Sequence, residues 1–184
     1  MHLEYANKHI IIRVLDERWA QQVLDFYYSN RDNFEPFEIE KPDNFYTLVF
    51  QKRLLHAEYE AFVHSQQMRF FLFDQLDPDT IIGTVSFFNI KRQNFQACEL
   101  GYKIDKHFTG RGYATEMLRL AMKAMIEDFG MHRFCAYIQP SNLASIRLVR
   151  KLQFQLEGTA RGLVWLHDSW QDHLCYSYLA SPIF

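Results

Sequence analysis

A strand-like run that ends in a glycine turn and passes straight into an amphipathic helix limits this chain to folds containing a β–α–β crossover. The run is Gly101-Tyr102-Lys103-Ile104-Asp105-Lys106-His107-Phe108-Thr109-Gly110-Arg111-Gly112-Tyr113-Ala114-Thr115-Glu116. Beyond it, Leu118, Ala121, Met122, Met125, Ile126 and Phe129 recur at the spacing of one helix face. Gly130 suits the position just past the helix end, and residues 133–139 alternate as a strand. Two neighbouring strands joined through such a helix run parallel, with a right-handed crossover, if they pair in one sheet.

The turn itself aims free backbone N–H groups and the positive end of a helix dipole at one point, a setting suited to an anion and most often a phosphate. A P-loop would need G-x-x-x-x-G-K-[ST], and the chain has none. A dinucleotide fingerprint would need a third glycine or alanine where Thr115 stands. A plain strand–turn–helix connection, its glycines only allowing positive φ, stays open on these residues alone.

The rest of the chain supplies more strands around this unit. Residues 10–15 read as a first strand, Asp16 as the N-cap of a helix over 17–29, residues 30–44 as a polar loop with Pro36 and Pro42, and residues 47–66 as a second helix. Leu48, Leu55, Tyr59, Phe62 and Val63 give that helix its apolar face. Strands over 69–75 and 80–91 flank the turn signal Asp77-Pro78-Asp79 as a hairpin, and 97–104 is the next strand. A helix from Pro140-Ser141-Asn142 to about Lys151 buries Ile146, Val149 and Leu152, and strands over 163–166 and 173–179 flank His167-Asp168-Ser169 as a closing hairpin. The sum is an α/β (α+β) sandwich, a mixed sheet with helices on its faces.

At 184 residues the chain is expected to form one domain over 1–184. A net charge of −2 argues against an electrostatic nucleic-acid binder. Cys98, Cys135 and Cys175 are widely spaced within apolar runs, which suggests buried free thiols and no metal site. No signal pattern and no membrane-length apolar stretch is present, so cytoplasmic residence is the expectation.

A second segment joins the glycine turn about thirty residues on, as one βα step requires. It is Ile138-Gln139-Pro140-Ser141-Asn142-Leu143-Ala144-Ser145-Ile146-Arg147, then Lys151-Leu152-Gln153-Phe154 and Leu156-Glu157-Gly158. With Gly101-Tyr102 and the glycine turn, it resembles the GNAT superfamily of acetyl-CoA-dependent N-acetyltransferases, and within it the RimJ/RimL type that acetylates ribosomal-protein N-termini. The resemblance extends to Phe34-Glu35-Pro36-Phe37, Phe45-Tyr46-Thr47 and Trp170-Gln171-Asp172-His173.

It implies a mostly antiparallel central sheet with one parallel, splayed step. Acetyl-CoA is the implied cosubstrate, with no metal. Lys103 and Ile104 would offer backbone groups to the pantetheine arm. Thr109, Gly110, Arg111, Gly112, Tyr113 and Ala114 would hold the pyrophosphate, and Asn142 would hold the arm or fix the helix start. Three departures stand out: His107 where the family has Gln or Arg, Gln153 where it often has Gly, and Val164 where RimL-type enzymes carry a glutamate base.

The implied reaction is direct attack of an amine on the thioester. An α-amine, with a pKa of about 7.7–8.0 against about 10.4 for lysine, is already partly neutral and needs only a modest base. The edge near Ile104 would supply an oxyanion donor. Ser145 is the expected proton donor to the thiolate, with a purely structural helix-start role as the alternative. Glu99, sharing a strand face with Gly101 and Lys103, is the candidate base, with a solvated carboxylate or a Lys103 partner as the alternative. No G-x-S-x-G elbow supports a hydrolase triad, and Asp172-His173 reads as a structural pair at a strand edge. Asp32, Glu35, Glu38, Glu40 and Asp43 form an acidic loop, either solvated or attracting a cationic amine. The expected partner is an amine acceptor such as a ribosomal-protein N-terminus, with no nucleic acid and no membrane, and with a homodimer allowed. A small-amine acetyltransferase acting on polyamines or aminoglycosides, and a non-catalytic acyl-CoA binder, are the competing functions.

Overall fold

The computed structural model describes residues 2–180. Among the described residues the strands are β1 (Glu4–Ala6), β2 (Ile10–Arg13), β3 (Met68–Asp74), β4 (Gly83–Lys91), β5 (Ala97–Ile104), β6 (Arg133–Ile138), β7 (Gln155–Leu166) and β8 (Ser169–Leu179). They form one sheet in the order β1-β2-β3-β4-β5-β6-β8-β7. The helices are α1 (Ala20–Ser29), α2 (Arg31–Phe34), α3 (Leu48–Val63), α4 (Tyr113–Glu127) and α5 (Leu143–Lys151).

Alternation along β3 explains why helices cover both faces. Met68, Phe70 and Leu72 enter a core with Leu118 and Met125 of α4 and Val149 of α5. Phe71 and Phe73 enter a second core with Val23 of α1 and Leu55 of α3. A strand buried on both faces reads as a continuous apolar run, as this one does.

Every strand pairing is antiparallel except β5 with β6. That parallel ladder has only three pairs, Ala97↔Arg133, Cys98↔Phe134 and Glu99↔Cys135. Beyond it the two strands part, so the sheet opens between the end of β5 and the end of β6. β5 is held firmly on its other side, paired with β4 from Ala97↔Lys91 to Ile104↔Gly83. Gly83 is a close-approach position: a Cβ there would lie 2.8 Å from the Lys103 carbonyl oxygen and 2.7 Å from the Ile104 Cδ1. Gly83→Ala is therefore expected to push the end of β5 outward and to destabilise the fold by about 1–3 kcal/mol in urea unfolding, with an unchanged slope.

The β–α–β unit, the hairpin of β3 and β4 and the Asn142 helix start agree with expectation; Asp16 accepts the Arg18 N–H at 3.0 Å, but the element it caps is a 3₁₀ turn, Glu17–Trp19, that leads into α1. Gln153 sits at φ 66°, the region the family's glycine would favour. Other expectations need correction. The first strand ends at Arg13 and gains a partner, β1, that the polar segment Glu4–Ala6 did not signal. Residues 30–44 contain α2 and a 3₁₀ turn, Glu35–Phe37. Leu48 and Val63 of α3 are exposed, because α3 is only half covered and these two lie at its ends. Cys135 and Cys175 are half-buried, whereas Cys98 is buried. The closing hairpin is longer than expected, since glycine-marked irregularities at Gly158 and Gly162 let β7 continue through what the sequence presents as a break. No helix among the described residues is long and apolar enough to cross a membrane.

Candidate active site

A cleft of about 660 Å³ passes through the opening between β5 and β6. Its walls are the end of β5, the glycine turn, the start of α4, the end of β6 and the start of α5, with Phe34, Phe37 and Glu38 closing one mouth. The sheet thus offers one continuous channel that reaches both of its faces.

The glycine turn forms the outer end. Gly110 has φ 75° and Gly112, the residue preceding α4, has φ 93°. No side chain caps α4, in contrast to α3, capped by Thr47, and α5, capped by Asn142. Among the described residues, no backbone acceptor engages the N–H groups of residues 110–114. A Cβ at Gly110 or Gly112 would meet nothing within 4 Å, so the concavity is open. These are the features of an anion cradle at a helix N-terminus, and a pyrophosphate fits them. Arg147 and Lys151 line the same cleft from α5 and add positive charge. Arg111 folds back over the Phe108 ring, 5.5 Å from its centroid.

The lead-in to this turn is pinned by a residue the sequence did not single out. Asn30, 0 % exposed at the end of α1, donates to the Phe26 carbonyl at 2.9 Å and to Asp105 Oδ2 at 2.7 Å, and accepts the Lys106 N–H at 2.9 Å. Asp105 also accepts the His107 N–H at 2.8 Å and lies 2.9 Å from the His107 ring. Burial pushes the Asp105 carboxyl up, but Asn30 and His107 together outweigh it and hold it below the usual carboxylate range. His107 therefore serves the turn from beside it, which gives physical content to its departure from the family pattern.

Within the channel the expected residues fall on different walls. Ser145 is half-buried on α5 and lines the cleft. Its N–H donates to Asn142 Oδ1 at 3.0 Å and its carbonyl accepts from the Tyr102 hydroxyl at 3.4 Å, and its side chain lies beside that same hydroxyl. Asn142 is thus the N-cap, and Ser145 is held by its backbone at the wall of the cleft. Burial pushes the Tyr102 hydroxyl up to about 12, so it stays a proton-bearing donor. The backbone of Lys103 and Ile104 flanks the opening, while the Lys103 ammonium is drawn aside to Glu38, which also meets Lys41 at 2.9 Å. Burial alone would raise the Glu38 carboxyl, and the two lysines together bring it below its ordinary value. Lys103 is therefore not the partner of Glu99. Glu99 is half-buried at the last pair of the parallel ladder, opposite Cys135, and is not among the residues that line the cleft.

Within the acidic loop Glu35 accepts from the Tyr46 hydroxyl at 2.7 Å and Glu38 is neutralised as described, whereas Asp32, Glu40 and Asp43 are exposed. The expected Asp172–His173 pair does not form. Asp172 accepts the Gly162 N–H at 2.8 Å on one side of β8, and His173, 6 % exposed, lines the cleft on the other. No group of three or more potential metal ligands occurs among the described residues.

Comparison with known proteins follows the same lines. The family model "Acetyltransferase (GNAT) domain" matches residues 9–155. The chain is 35% identical over 167 residues to the "Probable N-acetyltransferase YjcK" of Bacillus subtilis (strain 168), covering 91% of this chain and 92% of that one. It is 32% identical over 173 residues to the "[Ribosomal protein uS5]-alanine N-acetyltransferase" of Escherichia coli (strain K12), covering 92% and 87%. Among solved structures, the ribosomal-protein-S5-alanine acetyltransferase from Vibrio fischeri superposes with a TM-score of 0.90 at 26% identity, covering 97% of both chains.

Proposed function

We propose that this chain, which belongs to the GNAT acetyltransferase family, moves an acetyl group from acetyl-CoA directly onto the α-amine of a protein N-terminus, with a ribosomal-protein N-terminus as the acceptor class. The observation that carries the reading is the opening of β5 from β6 immediately beneath an uncapped helix N-terminus. An extended arm can lie in such a gap as a surrogate strand, with its anionic end on the cradle. The relatives named for a ribosomal-protein alanine support the acceptor class.

Acetyl-CoA, when bound, supplies the acyl thioester. The chain's own residues then have five tasks. The N–H groups of Gly110, Arg111, Gly112, Tyr113 and Ala114, with Thr109 beside them, hold the pyrophosphate. The Ile104 backbone is free to bond the arm, because pairing with β6 has ended, whereas the Asp105 N–H given to the Ile82 carbonyl shows that Lys103, two residues back, turns its backbone toward β4; the Ile104 N–H is suited to the carbonyl oxygen as charge develops on it. Asn142 fixes the start of α5, and the Ser145 hydroxyl delivers a proton to the departing thiolate. A free thiol has a pKa of about 8.5, so a weak donor suffices.

The test is release of CoA thiol from acetyl-CoA with N-terminal peptides set against polyamines and aminoglycosides. Preferred turnover of the peptides is expected; preference for the small amines would move the chain to that class, and thermal stabilisation by CoA without transfer to any amine would make it a binder. Ser145→Ala is expected to lower kcat about tenfold or more with little change in CoA affinity, within the range of general acid–base contributions. Transfer rates unchanged at every pH would remove Ser145 from the reaction.

A further inference from the structure

We propose that His173 is the group that takes the proton from the acceptor amine; this rests on the transferase reading above. His173 lies in β8, where Leu174 pairs with Ile138 and Cys175 with Tyr137. Leu174 packs into the core that carries α4 and α5, so His173 points to the opposite face by strand alternation. Ser145 stands on α5, against the first face. The cleft joins the two faces through the opening in the sheet, and both side chains line it. A base on one side and a proton donor to sulfur on the other is the arrangement that direct transfer requires.

The ring is set for this work. His173 Nδ1 lies 3.1 Å from the Gln171 carbonyl oxygen. A carbonyl only accepts, so Nδ1 carries the hydrogen and Nε2 carries the lone pair. Nε2 has no partner among the described residues and is not one of the fully buried orphaned atoms, so it retains a surface on the cleft. In the step, the amine nitrogen forms the new bond to the acyl carbon and the carbon–sulfur bond breaks with its electron pair on sulfur. The proton lost by nitrogen goes to Nε2 and from there to water, and the Ser145 oxygen regains from water the proton it gives to sulfur.

The neighbouring titratable groups leave the role to this histidine. Lys103 of β5 and Glu38, just past the Glu35–Phe37 turn, line the cleft but neutralise each other. From β6, Tyr137 is pushed above the ordinary tyrosine value by burial. From α5, Arg147 and Lys151 are cations that cannot accept a proton near neutrality. The β7 residue opposite His173 is Ala160, and Cys175 and Cys135 share the face of His173 without lining the cleft.

The experiment measures kcat/KM against pH for the wild type, His173→Asn, His173→Gln and Glu99→Gln with one N-terminal peptide, beside CoA titration and thermal melting of each. Asn can donate to the Gln171 carbonyl as Nδ1 does, so a purely structural role would survive that change. Both His173 variants are expected to lose about a hundredfold in kcat/KM near neutrality and to lose the limb by which the rate rises out of the acid range, with CoA affinity kept. Imidazole added to His173→Ala is expected to restore part of the rate. If the wild type transfers and the His173→Asn profile keeps its acid limb, or if Glu99→Gln alone removes that limb, the assignment to His173 is overturned while the transferase reading stands. If the wild type acetylates no amine, the reading itself fails and takes the assignment with it.

Discussion

Gly112→Val is expected to weaken CoA binding by tenfold or more while leaving the melting temperature close to that of the wild type. Gly112 sits at φ 93° and ψ −13°, in open space with nothing within 4 Å of a Cβ. Steric overlap with the protein is therefore not the issue. A side chain at such a φ costs about 1–2 kcal/mol, and a β-branched one more. At the tip of an exposed turn the backbone can shed that strain by rotating, and the rotation turns the first N–H groups of α4 away from the anion. A loss of about 1.4 kcal/mol is a factor of ten in affinity. Calorimetric titration with CoA reads it directly, and an unchanged dissociation constant would show that the cradle is not where the pyrophosphate sits.

Asn30→Ala is expected to cost about 3 kcal/mol of stability and to raise KM for acetyl-CoA as well. The side chain is 0 % exposed and closes two hydrogen bonds between the end of α1 and the strand exit at Asp105 and Lys106, with a third onto the Phe26 carbonyl of its own helix. Its removal leaves the Lys106 N–H and an Asp105 oxygen without partners in a part-buried place, at about 1–3 kcal/mol for each such group. The Asp105 carboxyl is held below its unfolded value, so the stability it contributes is present near neutrality and fades as pH falls through the carboxylate range. The deficit of the variant should accordingly be largest near pH 7 and shrink in acid. Urea unfolding at two pH values checks this, and a loss below about 1 kcal/mol at neutrality would mean that the glycine turn is held by something else.

The parts of the molecule that the sequence foretells are those whose cause is local. The helix face from Leu118 to Phe129 and the alternation of residues 133–138 specify the crossover, and the glycines before Tyr113 specify its entrance. Even the φ of 66° at Gln153 follows from the glycine it replaces. What escapes are contacts with no local signature. Asn30 meets Asp105 and Lys106 from the far end of another helix, and Glu38 meets Lys103 from within a stretch rich in proline and acid. Three-residue β1 is too short and too polar to stand out. His173 looks like any polar residue in an alternating strand; only the register of β8 on β6, together with the opening beside it, turns it toward a cleft. Glu99 is the converse case, since alternation gives its face correctly but not its distance from the channel.

The most direct test of the account uses one peptide carrying a free α-amine and an internal lysine, incubated with acetyl-CoA and the protein, with the acetylated position located by tandem mass spectrometry. Acetylation at the α-amine, with the lysine unmodified, is the predicted result, because an amine with a pKa of about 8 needs only the modest base this cleft offers. Acetylation of the lysine in preference, or of neither amine, would contradict it.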